Sequence, residues 1–149
     1  MSVSSLSAAT ADHDRKPTVI DETHLARMTL GDRRLEREVL ELFVRQTTIM
    51  LGRIVGAEPA WAAAAAHTLK GSARGIGAWR VARAAELVEN AANGEGGPDA
   101  MQSDAMQPDA MQRDAMEEAV TELKTASLEA SAAIGSRLTG LLAELARGR

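Results

Sequence analysis

Apolar residues recur every three or four positions along most of the chain, which is the spacing of an amphipathic helix. One such run covers residues 33–54 and contains Leu35, Val39, Leu42, Phe43, Met50 and Ile54. A second run near the C-terminus contains Met116, Val120, Leu123, Ser127, Ala130, Ile134, Leu138, Leu141 and Leu145. Each run predicts a helix with one apolar face, and such faces are stable only when they pack against one another.

Helix-capping residues stand at the predicted boundaries. Asp21 is a good N-cap for a short helix that Gly31 ends, and Asp32 is a good N-cap for the helix over residues 33–54. Pro59 fits the first turn of a third helix, because its missing N–H is not needed there.

The third helix is predicted to extend from residue 59 to about 74, and a fourth from 78 to about 92. The last helix is predicted to start near Asp114 and to extend to about residue 146. Four long helices joined mostly by short links predict an all-α fold. The specific prediction is an antiparallel up-and-down four-helix bundle with a short extra N-terminal helix.

The predicted domain organisation is a disordered tail over residues 1–17 and one bundle over residues 18–147, interrupted by a low-complexity insertion over residues 94–113. The insertion repeats Asp-Ala-Met-Gln with a five-residue period, starting at Asp99, Asp104 and Asp109, with a degenerate copy at Asp114. A five-residue step turns successive Met side chains by ~140° on a helix, so they share no face. A tolerated surface insertion is predicted, and a Met-rich docking or metal-binding segment is the alternative.

Composition supports the helical prediction and narrows the class of function. Alanine dominates the apolar residues, with one Phe and no Tyr, and alanine favours helices. The net charge of −4 argues against a nucleic-acid partner, since such proteins usually carry a basic excess. There is no cysteine, no signal-peptide pattern and no stretch near the ~20 apolar residues that span a bilayer. A soluble, cytoplasmic protein without membrane contact is expected.

The segment with candidate chemistry surrounds His67. On a helix wheel Lys70 lies ~60° to one side of His67, Gly71 ~40° to the other and Arg74 within ~20°. Ala60, Ala63 and Ala64 are predicted on the same face, and the opposite face carries Ala62, Ala65, Leu69, Ala73 and Ile76. His67 should therefore point to water while the apolar face enters the core.

These residue types suit a phosphoryl acceptor. A neutral imidazole nitrogen is nucleophilic near pH 7. An ammonium such as that of Lys70 can hold phosphate oxygens, and a glycine at position 71 lets another protein approach closely. No second His or carboxylate lies at metal-ligand spacing from His67, so no metal site is expected.

The run His67-Thr68-Leu69-Lys70-Gly71-Ser72-Ala73, followed by Ile76-Gly77, resembles the signature of histidine phosphotransfer (HPt) domains. The resemblance covers about residues 18–93, and the final helix matches in kind only. It implies a four-helix bundle that shuttles phosphoryl groups between receiver-domain aspartates of response regulators and hybrid histidine kinases. It further implies that His67 is the phospho-acceptor, that Lys70 stabilises the phosphoryl group and that Gly71 gives clearance to the receiver.

The resemblance also sets expectations for partners and cofactors. Ala63, Ala64 and Arg74 are expected to contact the partner. Mg²⁺ is expected to come from the receiver domain, with no cofactor bound by this chain. No ATP-binding phosphate loop is visible, so a phosphocarrier without kinase activity of its own is expected. The bundle is expected to be a monomer.

Several alternatives stay open. The same surface could belong to a non-phosphorylated adaptor that docks receiver or histidine-kinase domains, or to an inhibitor of a kinase. Trp61 and Trp79 are predicted to pack at the edge of the core, with a docking patch as the alternative. His13 and His24 are given no functional role.

Overall fold

The computed structural model describes residues 18–94 and 108–148, and these residues form five α-helices and no strand. The helices are α1 (Glu22–Met28), α2 (Arg33–Ile54), α3 (Pro59–Ile76), α4 (Trp79–Ala92) and α5 (Pro108–Arg147). The all-α prediction is confirmed. The predicted tail over residues 1–17 and the repeat residues 95–107 lie outside the described residues.

The predicted capping residues are confirmed at the starts of α1 and α2. Asp21 Oδ1 accepts a hydrogen bond from the backbone N–H of His24 at 3.0 Å. Asp32 Oδ1 accepts from the backbone N–H groups of Arg34 and Leu35, at 2.9 and 3.3 Å. These carboxylates bind N–H groups that have no partner within their helices, which fixes where each helix begins.

The start of α5 differs from the prediction. The helix begins at Pro108 and not near Asp114, because proline is well tolerated in a first helical turn. Residues 108–113 of the predicted insertion are therefore helical, and Gln112 Nε2 donates a hydrogen bond to the carbonyl of Ala91 at 3.1 Å. This bond joins the beginning of α5 to the end of α4.

The core lies between α2, α3, α4 and α5. Contacts link α2 with α3, α3 with α4, α4 with α5 and α5 with α2, so the four long helices surround one apolar interior. The buried residues of α3 and α4 are mostly alanines: Ala62, Ala63, Ala65, Ala66, Ala73, Ala82, Ala84, Ala85, Ala91 and Ala92. Small side chains at a helix contact let the two backbones approach closely.

The segment around α1 holds the C-terminal end of α3. Gly77 ends α3 in the left-handed conformation with φ of 79°, and its carbonyl accepts a hydrogen bond from the backbone N–H of Asp21 at 3.0 Å. His24 Nε2 donates to the carbonyl of Arg74 at 2.9 Å, and Trp79 Nε1 donates to Asp21 Oδ2 at 3.0 Å. The first two bonds satisfy carbonyls at the C-terminal end of α3, and the bond from Trp79 joins the start of α4 to Asp21.

An ion cluster around the buried Glu36 joins α1, α2 and α5. Glu36 is only 3% exposed, and Arg137 contacts its carboxylate at 2.5 Å while Arg33 contacts it at 3.1 Å. Arg137 also reaches Glu22 of α1 at 3.1 Å. The cluster compensates the charge of the buried carboxylate, which would otherwise be costly to remove from water.

Two glycine substitutions should have opposite effects on stability. Gly77→Ala should lower the free energy of unfolding by about 2 kcal/mol, because the left-handed backbone is unfavourable for alanine. Its added Cβ would also lie 2.8 Å from the Cβ of Asp21. Gly75→Ala should instead raise it by up to about 1 kcal/mol, since alanine favours helices and its Cβ would meet no described atom within 4 Å.

Urea unfolding followed by far-ultraviolet circular dichroism measures both effects. If the Gly77→Ala variant were as stable as the unchanged chain, the left-handed conformation of Gly77 at the end of α3 would not require glycine.

Candidate functional site

The exposed strip of α3 carries His67. The His67 side chain is 69% exposed, and Ala60, Ala64, Thr68 and Gly71 beside it are exposed as well. The opposite face is at most 6% exposed at Ala62, Ala65, Leu69, Ala73 and Ile76. The predicted division of α3 into a core face and a His67 face is therefore confirmed for these residues.

The prediction is wrong for Ala63, which is buried with 9% of its surface exposed. Ala63 lies on the same side of His67 as Lys70, and the Lys70 side chain is only 14% exposed. Because Lys70 contacts Glu89 of α4, this side of α3 faces α4 and not water. His67 thus lies at the border between the exposed strip and the α3–α4 contact.

Glu89 joins the two functional candidates of α3. Its Oε1 lies 2.9 Å from Nδ1 of His67, and its Oε2 accepts a hydrogen bond from Nζ of Lys70 at 2.7 Å. The Glu89 side chain is 18% exposed, so both contacts are partly shielded from water. The three side chains form one network across the α3–α4 contact.

The network keeps Glu89 ionised at neutral pH. The hydrogen bond from Lys70 is the largest cause that lowers the pKa of Glu89, burial acts in the opposite direction, and the bond to His67 lowers it further. The folded pKa therefore lies below the ordinary value of 4.5. A lowered carboxylate pKa stabilises the fold above the unfolded pKa, and this contribution is lost as the pH falls through the folded pKa.

The ionised carboxylate selects the proton position on His67. A carboxylate without a proton can only accept hydrogen bonds, so Nδ1 of His67 carries the hydrogen in this contact. In a neutral imidazole the other nitrogen, Nε2, then holds the free lone pair. The arrangement offers a nucleophilic nitrogen on a largely exposed ring.

Arg74 and Gly71 extend the site along α3. Arg74 is 54% exposed, and its Nη2 lies 3.8 Å from Oε1 of Glu86 on α4. A Cβ added at Gly71 would meet none of the described atoms within 4 Å. No packing within the described chain therefore requires glycine at this position, although glycine weakens a helix.

A shallow groove borders the strip on the side of α2. Ala64 and Thr68 line it together with Met50 and Arg53 of α2 and with Trp61. Trp61 is 71% exposed, so its predicted packing at the edge of the core is wrong. Trp79 is 47% exposed and contacts Asp21 and the His24 ring at the boundary of the fold.

Sequence reasoning missed Glu89 as a member of the site. A signal was present, because α3 carries cations at positions 70 and 74 and α4 carries carboxylates at positions 86 and 89. The pairs form in opposite order along the two helices, Arg74 with Glu86 and Lys70 with Glu89. To use that signal one must know which residues of α3 lie opposite which residues of α4, and the residue spacing within one helix does not give this.

Residues 18–94 and 108–148 contain neither a membrane-spanning helix nor a metal-binding cluster. No helix in these ranges is long and apolar enough to cross a membrane. No group of three or more His, Cys, Asp or Glu side chains there is placed to hold a metal ion.

The match to a known family covers most of the chain. The model of the Hpt domain matches residues 38–147, a range that extends from α2 through α5 and includes His67, Lys70 and Glu89. No curated protein and no solved structure matches the chain. Hpt domains are helical bundles that act as phosphocarriers in phosphorelay signalling and interact with receiver and kinase domains. This chain belongs to the Hpt domain family.

Proposed function

We propose that this protein is a phosphorelay intermediate that accepts a phosphoryl group on His67 from a receiver-domain aspartate and passes it to another receiver-domain aspartate. The observation that carries the proposal is the exposed His67 ring, 69% accessible, whose Nδ1 is already bound by Glu89 on a helix of an Hpt domain. An exposed ring is accessible to a partner's phosphorylated aspartate. A bound Nδ1 leaves the other nitrogen for attack.

The bundle would present His67 on a rigid scaffold. We infer an antiparallel up-and-down arrangement of α2 to α5, supported by the short links from α2 to α3 and from α3 to α4. The opposite order of the Arg74–Glu86 and Lys70–Glu89 contacts supports it for α3 and α4. We also propose that residues 1–17 are a tail outside the bundle and that the repeat is an insertion before α5.

Cations beside His67 would stabilise the transferred phosphoryl group. The phosphoryl oxygens carry most of the charge in a loose transition state. Lys70 is bound to Glu89 in the unmodified chain, and its flexible stem would let its ammonium turn toward a phosphoryl group on His67. Arg74 is half-exposed and would contact the phosphoryl group or the receiver.

The exposed strip would form the docking surface. Ala64 and Gly71 present little side-chain volume, which would let the receiver bring its aspartate close to His67. Ala63 is buried, so we place its contribution beneath this surface and not in direct contact. The groove beside Trp61 would extend the contact toward α2.

The remaining requirements of the reaction would come from the partner. Mg²⁺ and its carboxylate ligands are expected in the receiver domain, where they would neutralise the phosphoryl group during transfer. The chain itself would act without bound cofactor or ATP. We propose a monomer, because the four long helices already surround one apolar interior, and we propose that it acts in the cytoplasm.

The acceptor role predicts the result of His67→Gln. The variant should fold as the unchanged chain does, because residue 67 is exposed, but it should take no phosphoryl group. The measurement is the intact mass after incubation with a receiver domain charged by acetyl phosphate and Mg²⁺, with acid treatment to remove phosphohistidine. His24→Gln is the control and should still be phosphorylated.

Phosphorylation that persists in His67→Gln would overturn the acceptor assignment. Binding of the receiver without any phosphorylation of the unchanged chain would favour the non-phosphorylated adaptor instead.

If Gly71 gives clearance to the receiver, substituting it should stabilise the fold and slow phosphoryl transfer. Gly71→Gln should raise the free energy of unfolding by about 0.5–1 kcal/mol, because glutamine favours helices over glycine. It should also slow transfer, because its side chain would occupy the space that the receiver needs. Gly52→Gln is the matched control: Gly52 is an exposed helical glycine with equally open surroundings in α2.

Rapid-quench mixing with a phosphorylated receiver domain measures the phosphoryl-transfer rate of each variant. Urea unfolding measures the free energy of unfolding. If both variants transferred at the same rate, Gly71 would have no clearance role.

A further inference from the structure

We infer that Asn93 is a site of spontaneous deamidation, at which the backbone nitrogen of Gly94 displaces the side-chain amide of Asn93. The inference concerns the end of α4, just before the repeat. It does not depend on the acceptor role proposed for His67, and it goes beyond that role because it assigns a chemical modification to residues that phosphoryl transfer does not use.

The sequence places the two reacting groups next to each other. The chain contains two asparagines, Asn90 and Asn93, and only Asn93 is followed by glycine. The side chain of an asparagine and the backbone nitrogen of the next residue can close a five-membered ring. A glycine in the second position has no Cβ to shield its nitrogen, and its backbone adopts conformations that other residues avoid.

The reaction consumes water and releases ammonia. The nitrogen of Gly94 loses its proton and bonds to Cγ of Asn93, while the bond from Cγ to the side-chain nitrogen breaks and that nitrogen leaves as ammonia with the proton. Water then opens the resulting succinimide. Attack at Cγ gives aspartate, and attack at the backbone carbonyl carbon gives isoaspartate, in which the main chain passes through Cβ. No oxidant, metal or cofactor enters either step.

The structure places both groups where the ring can close. Asn93 is the exposed C-cap of α4, with φ of −83° and ψ of −2°. Gly94 follows with φ of 72°, in the left-handed region that glycine adopts readily. A rotation about ψ of Asn93 brings the nitrogen of Gly94 beside Cγ. The helical residues of α4 precede the rotating bond, so this rotation leaves them in place.

The hydrogen bonds at this helix end oppose the rotation only weakly. The N–H of Gly94 donates to the carbonyl of Ala91 at 3.3 Å, which is longer than the usual range for an N–H···O bond. The N–H of Asn93 donates to the backbone carbonyl of Glu89 at 3.0 Å, but it lies before the rotating bond and keeps its partner. Ring closure therefore costs one long hydrogen bond.

Asn90 is the matched control within the chain. It lies inside α4, it is partly buried, and Ala91 follows it. Inside an α-helix each backbone N–H is bound to the carbonyl four residues earlier. The nitrogen of Ala91 can reach the Asn90 side chain only if this part of the helix opens, so Asn90 should keep its amide.

Deamidation should weaken the end of α4. Both products carry a carboxylate at the C-terminal end of the helix, where the helix dipole disfavours negative charge. Gln112 of α5 donates to the carbonyls of Ala91 and Ala92 at this end, at 3.1 and 3.5 Å. Isoaspartate also lengthens the main chain by one carbon directly after these carbonyls. The modified chain should therefore unfold at a lower urea concentration than the fresh chain.

Ageing of the full chain in mildly alkaline buffer tests the site, because alkali favours loss of the Gly94 proton. Samples taken over time are digested, and mass spectrometry with fragmentation measures the change from amide to carboxylate at each asparagine. Asn93 should convert to a mixture of aspartate and isoaspartate, while Asn90 should keep its amide. Circular dichroism before and after ageing checks that the chain stays folded.

Two variants separate the ring closure from its effect on the fold. Gly94→Ala should slow the conversion of Asn93 several-fold, because the added Cβ shields the attacking nitrogen. Asn93→Asp carries one of the two products from the start and should reproduce a lower urea midpoint. It keeps the falsifying stability measurement available even if the left-handed backbone at residue 94 prevents Gly94→Ala from folding.

A synthetic peptide with the sequence of residues 84–97 gives the rate of the same reaction outside the fold. If Asn93 kept its amide in the folded chain while the peptide deamidated, the helix end would protect the site and the inference would be wrong. Equal conversion of Asn90 and Asn93 in the folded chain would also overturn it. A urea midpoint of Asn93→Asp equal to that of the unchanged chain would contradict the weakening of α4.

Discussion

The close contact of α3 with α4 is the constraint on which the site depends. Most of the buried residues between these helices and the core are alanines, including Ala63 and Ala66 on α3 and Ala82 and Ala85 on α4. A glutamate side chain is short relative to the usual separation of packed helices. Across this contact Glu89 binds His67 and Lys70 at 2.9 and 2.7 Å. Alanine here favours the helices and permits their close packing.

The helix α3 contains two unfavourable glycines and is fixed at its C-terminal end by contacts from outside the helix. Gly71 and Gly75 each lower the helix propensity of α3, and Glu58 at its N-terminus makes no side-chain capping bond. The C-terminal end is instead fixed by Gly77 in the left-handed conformation and by the segment before α1, through Asp21. The contacts that fix the end of α3 therefore lie away from the exposed strip around His67.

Much of the fold could be predicted from the sequence because it depends on local rules. Asp32 fixes the start of α2 through hydrogen bonds to residues two and three positions away, which sequence spacing contains. The predicted start of α5 near Asp114 is wrong, because the helix begins at Pro108 and proline favours a first helical turn. Ala63 and Glu89 could not be placed, because their surroundings depend on how α3 and α4 are aligned, and no spacing within one helix encodes that alignment.

The position of His67 at a border would let one side chain meet two demands of the proposed acceptor role. A phosphoryl acceptor must be accessible, yet a fully solvated imidazole has no fixed tautomer and no nearby charge to stabilise its cation. His67 keeps 69% of its side chain exposed while Nδ1 is bound to Glu89, whose own side chain is only 18% exposed. Placed further toward α4, the ring would lose access to a partner. Placed further toward Gly71, it would lose Glu89, so the border position combines access with a bound Nδ1.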